Sequence, residues 1–168
     1  MEKAREKKRR GSALIEFSIT FVPLLFLQMS IVSVALNMWE FHSLDYAVDS
    51  TTRYITVHGQ GCSQNGNSCT VTVGNIISFF QAQALGADAT QVSLTLTDGS
   101  GSTTCSPITS CSSSTTQFPN ASYNSPGSDI TLNASFTMRN PLAMYWPPAS
   151  NGPHDFTVYA NSRQRMAF

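Results

Sequence analysis

Charge is scarce in this chain and unevenly placed. Only 12% of its 168 residues are Asp, Glu, Lys or Arg, and lysine does not occur after Lys8. A nucleic-acid surface needs clustered Lys and Arg, so everything beyond the first eleven residues falls outside that class. Histidine is just as thin: His42, His58 and His154 stand far apart. A hydrolase needs a nucleophile oriented by a base, and a metal enzyme needs clustered ligands. Neither pattern is present, no Gly-rich phosphate loop occurs, and Asp129 and Asp155 lack an evident partner. The expectation is no enzyme activity, no cofactor, no metal and no small-molecule substrate.

The charge that does exist gathers at the start. Lys3, Arg5, Lys7, Lys8, Arg9 and Arg10 precede Gly11, whereas Phe17 to Trp39 holds no charged residue over 23 positions. At 1.5 Å per residue a helix over that run is about 34 Å long, enough for a hydrocarbon core of about 30 Å. Basic residues stay on the cytoplasmic side, which sets the N-terminus inside and the C-terminal part outside the cytoplasm. A secretory signal peptide has a shorter apolar region ending at a small-residue site, and here the apolar run continues into an amphipathic helix. Without residues 1–11 the chain keeps four arginines against eight carboxylates, a net charge of −4.

Immediately before that run stands Glu16, the one carboxylate of the apolar segment that follows Gly11. Burying it costs about 2.5–3.5 kcal/mol at a helix centre and less near an end, so it asks for a partner or snorkels to water. Pro23 removes a backbone hydrogen bond and predicts a gentle kink, with Thr20 able to take up the freed carbonyl. Gln28, Ser30, Ser33 and Asn37 could hydrogen-bond between packed helices or simply be tolerated. Trp39, Phe41 and His42 fall where a membrane interface would lie, which suits aromatic rings.

The stretch Arg9-Arg10-Gly11-Ser12-Ala13-Leu14-Ile15-Glu16-Phe17 resembles the cleavage site of a type IV prepilin. Continued through Pro23-Leu24-Leu25 and Ala47 to Arg53-Tyr54, it is similar to the TadE-like minor pilins or pseudopilins of tight-adherence (Flp-type) pilus systems. The resemblance covers Gly11 to Tyr54. It implies a leader at 1–11, cut by a prepilin peptidase between Gly11 and Ser12, a transmembrane helix at 12–39 and a periplasmic ectodomain at 40–168. It also implies an inner-membrane, single-pass subunit that assembles with other pilins and pilus assembly proteins for surface attachment. Glu16, followed by Phe17, would attract the free amine of a neighbouring subunit's first residue. Physical chemistry makes the cut intelligible: glycine offers a protease little hindrance, and the basic leader holds it against anionic headgroups. The competing reading is a membrane-anchored periplasmic binding or adaptor protein that never enters a filament.

Beyond the membrane segment the sequence predicts a small α+β domain. Phe41, Leu44, Val48 and Ile55 recur at helical spacing from Glu40 to Ile55, and Asp49 can pair with Arg53 one turn on. A loop at Gly59 to Thr70 leads to a short helix from Val73 to Gly86, with Ile76, Ile77, Phe80 and Ala84 as its apolar stripe and Gly86 as its stop. Strands are expected at Gln91–Thr97, Asp129–Met138 and Phe156–Arg163, the last two antiparallel, giving a roughly three-stranded sheet packed on the helix. The Ser/Thr-rich stretch from Gly99 to Ser128 reads as an excursion outside the core, and 140–153 as a Pro-rich connection with an apolar patch at Leu142, Met144, Tyr145 and Trp146. Four cysteines allow three connectivities; short loops and an oxidising exterior favour Cys62–Cys69 and Cys105–Cys111 over zinc, whose usual spacing is lacking. Because these loops are small, losing either bridge is expected to loosen its loop more than the fold.

Overall fold

The computed structural model describes residues 2–58, 71–139 and 155–166. The loop with Cys62 and Cys69, the Pro-rich connection and His154 therefore lie outside the described residues, and so does the expected Cys62–Cys69 bridge. The remainder is α+β: a long N-terminal apolar helix, a short helix and a four-stranded antiparallel sheet.

Helix α1 runs Glu2–Val57 and carries Pro23 within it. Several of its hydroxyl side chains are turned back onto the helix: Ser18 donates to the Leu14 carbonyl, Ser30 to Phe26 and Thr52 to Val48. Such i to i−4 bonds satisfy polar groups without water. The missing N–H of Pro23 frees the carbonyl four residues back, that of Ile19. Thr20 does not take it up as expected; its hydroxyl donates to the Glu16 carbonyl at 3.0 Å.

Up to Asn37 the helix belongs to one unit, and its residues from Met38 onward belong to a compact domain with 71–139 and 155–166. In that domain α1 contributes Leu44, Ala47, Val48, Thr51, Thr52 and Ile55, all fully buried. These positions follow the 3–4 spacing of one helix face. Phe41, expected in the same stripe, is instead exposed, and the buried face begins at Leu44. Asp49 and Arg53 pair at 3.0 Å as the spacing predicts.

Helix α2, Val73–Gln83, is capped by Thr72, whose side chain accepts from the Asn75 N–H. It buries Ile76, Ile77 and Phe80. The helix stops before Gly86: the Ala84 N–H closes on the Phe80 carbonyl, and Gly86 follows in the left-handed region at φ +92°.

The strands are β1 (Val92–Asp98), β2 (Gly101–Cys105), β3 (Asp129–Arg139) and β4 (Asp155–Arg165), in the order β2-β1-β3-β4. Register pairs Leu94 with Ala134, and Ala134 with Ala160. The period-2 pattern turns Val92, Leu94 and Leu96 inward with Ile130, Leu132, Ala134, Phe136 and Met138, into one core with the two helices. Fully burying each large side chain contributes roughly 1.5–3 kcal/mol. The opposite face carries Thr95 against Thr104, Thr137 against Thr157 and Asn133 against Asn161, joined by side-chain hydrogen bonds.

The Ser/Thr-rich stretch corrects the sequence reading. It supplies β2 as a fourth strand, a 3-10 turn at Ile108–Cys111 and another at Ala121–Tyr123. Cys105 and Ile108 are fully buried and Phe118 is 4% exposed, so it belongs to the core. Its backbone also completes α2. Val73 N–H donates to the Thr116 carbonyl and Gly74 N–H to Ser114, while Phe118 N–H donates to Val71. The first amides of a helix have no partner within it, and here the excursion provides one. The Cys105–Cys111 disulfide is present, with Cα atoms 5.7 Å apart. Because Cys105 lies in the core and the bridged turn carries Ile108, that bridge holds more than its own loop.

Candidate functional site: the apolar helix and its carboxylate

Among the described residues, one helix is long and apolar enough to cross a membrane, within Ala13–Val57. This is consistent with a single-pass membrane protein. The apolar side chains from Leu14 to Trp39 face outward rather than into a core: Leu14 is 68% exposed and Leu27 61%. An exposed apolar surface of that extent is the mark of a lipid or protein contact.

The predicted processing and assembly residues all fall on this one helix. Gly11 and Ser12 lie in its helical backbone, and Glu16 follows Ser12 by four residues, about 6 Å along the axis. Glu16 is exposed on the helix surface. Phe17 stacks on Phe21, ring centroids 5.0 Å apart, which covers the turn after Glu16 with aromatic surface. A glycine in a helix interior weakens it by about 1 kcal/mol relative to alanine, so Gly11 is a low-propensity position within α1.

Several of the domain's charged groups hold its structure. Asp129 accepts from Arg163 at 2.8 Å and from Arg165 at 3.1 Å, and these hydrogen bonds keep its carboxyl below the usual carboxylate range. Asp98 closes the β1–β2 turn. Burial pushes its carboxyl up, but hydrogen bonds from the Ser100 side chain and the backbone N–H groups of Asn120, Ser100 and Gly101 outweigh that and pull it below its ordinary value. The cleft beside it, lined by Thr103, Gln117 and Asn120 among others, therefore presents a carboxylate already committed to the turn. Asp49 accepts from Gln164 at 3.1 Å and Ser162 at 3.4 Å, tying α1 to β4.

No group of three His, Cys, Asp or Glu side chains that could hold a metal ion occurs among the described residues. His58 sits on its own helix, Nδ1 2.9 Å from the Tyr54 carbonyl, and His42 lies edge-on to Phe41. Sequence reasoning missed the Asp49 tie to β4 because its partners are more than a hundred residues away. It also missed the Asp98 turn's bond to Asn120, although Asp-Gly-Ser-Gly is a hairpin signal. No protein-family model matches the chain, and no curated protein or solved structure does either.

Proposed function

We propose that this chain is a pilin-like structural subunit of a tight-adherence pilus rather than an enzyme. In this reading it is anchored in the bacterial inner membrane by α1, with its basic leader in the cytoplasm and its domain outside. A prepilin peptidase removes residues 1–11, and the mature helix packs beside those of other pilins. The observation that carries the reading is the division of α1: its first part keeps its apolar surface outward, and its later part is built into the domain core through Leu44, Val48 and Ile55. A filament subunit needs both, one part to pack laterally and one to display a domain.

Glu16 supplies the chemistry of packing. Docked among other helices, its carboxylate is desolvated and needs a cation. Cleavage creates one in the Ser12 amine, on the same chain or its neighbour. Glu16→Leu makes the helix more apolar, so insertion persists, while crosslinking of the mature helix to partner pilins and surface attachment both fall. Normal crosslinking and attachment by Glu16→Leu would instead leave Glu16 snorkelling and favour an anchored adaptor outside any filament.

A further inference from the structure

We propose that the turn between α2 and β1, centred on Leu85, rests on the membrane surface and gives the domain a second lipid contact beside its helix. The inference depends on reading α1 as a membrane anchor.

Three observations fix the turn. Leu85 is 64% exposed although it lies between a core helix and a core strand. Its carbonyl accepts from the Ser43 hydroxyl at 2.9 Å, which ties it to α1. Gly86 lies against Trp39: a Cβ there would come within 2.6 Å and 3.0 Å of two ring carbons, and its φ of +92° further demands glycine. The turn is thus held to α1 at two successive turns of helix, with Leu85 pointing into open space.

Position supplies the partner. Side chains on a helix lean toward its N-terminus, so the Trp39 ring, and Gly86 against it, lie on the N-terminal side of Trp39's own Cα. That is the membrane side. Trp39 ends the uncharged run and Glu40 is the first charge after it, which places the ring at the boundary where tryptophan is favoured. The turn therefore carries Leu85 to interface depth. The flanking Asp88 does not oppose this, since it accepts from the Thr90 N–H and hydroxyl and closes its own turn. A single leucine between Ala84 and Gly86 is far short of the roughly 800 Å² per partner that a stable protein interface buries. It is suited instead to adding contact to a surface to which the chain is already fastened.

The test uses the full chain in vesicles of phosphatidylethanolamine and phosphatidylglycerol. A nitroxide is attached through a ketone-bearing residue encoded at position 27, 85 or 122, and its collisions with oxygen and with a water-soluble nickel chelate are measured. The ratio of oxygen to nickel collisions should be several-fold higher at position 85 than at 122, and highest at 27. A label at 85 as open to nickel as that at 122, with 27 still embedded, overturns the lipid contact alone. Shielding of 85 from both reagents also overturns it, in favour of a protein contact. If position 27 is itself open to nickel, the membrane anchor fails and the inference falls with it.

Discussion

Replacing Gly74 by alanine sets two effects of opposite sign against each other. Gly74 is the second residue of α2, and glycine to alanine in a helix ordinarily stabilises by up to about 1 kcal/mol. Here an added Cβ would lie 2.8 Å from the carbonyl oxygens of both Ser112 and Ser114. Both are backbone atoms, so neither can rotate away; the helix or the bridged segment must shift by several tenths of an ångström. Overpacking of this kind costs about 1–3 kcal/mol. The shift also stretches the 3.0 Å bond from the Gly74 N–H to Ser114, worth about 0.5–1.5 kcal/mol. The net expectation is a loss of about 0.5–4.5 kcal/mol, which in a domain of this size lowers Tm by roughly 2–20 °C. Thermal unfolding of the full chain in detergent, followed by near-UV circular dichroism, measures it. Gln81→Ala, on an exposed position of the same helix, serves as the control and should stay within about 0.5 kcal/mol. An unchanged or raised Tm for Gly74→Ala would show that the 112–116 segment does not cap α2.

The Cys105→Ala, Cys111→Ala pair should cost about 2–3 kcal/mol from loop entropy alone, and amide exchange should speed at Ile76 and Ile77 as well as in the loop; acceleration confined to 105–116 would contradict the shared core. Acid should weaken the domain. Asp98 and Asp129 have folded pKa values below the ordinary one, so their stabilisation is complete above about pH 4 and is lost as pH falls through the folded values. Asp98→Asn should therefore lose less stability than wild type between pH 5 and pH 2, and an identical acid profile would remove Asp98 from the account. Leu44→Ala, at a fully buried position where α1 enters the core, should cost about 2–5 kcal/mol in denaturant unfolding; a negligible change would detach α1 from the domain.

The parts of the fold that were legible are those in which side chains alternate between core and solvent. Leu44, Val48 and Ile55 announce a helix face, and Ile130 to Met138 announce a strand, because burial there is written in the period of the apolar residues. The same logic failed between Gly99 and Ser128. Strand β2 is exposed at four of its five positions, so it has no apolar period to detect. It is held by pairing with β1 and by the Asp98 turn, neither of which is an apolar signal. The segment after it contributes chiefly backbone carbonyls to α2, which any residue type could supply, and its apolar anchors, Ile108 and Phe118, are widely spaced. The candidate site is local: Gly11, Ser12, Glu16 and Phe17 share one stretch of helix, so their spacing could be read directly. The contacts that tie the domain to α1, Asp49 to Gln164 and Ser43 to Leu85, join residues far apart in the chain and leave no local trace.

Removal of the leader would create a charged helix end beside Glu16. Intact-mass and N-terminal peptide analysis of protein extracted from membranes of cells with an active prepilin peptidase tests it most directly. Ser12 should be the first residue, and substitution of Gly11 by a bulky side chain should leave residues 1–11 attached. A mature chain that still begins at its basic leader would contradict the pilin reading and leave an anchored adaptor.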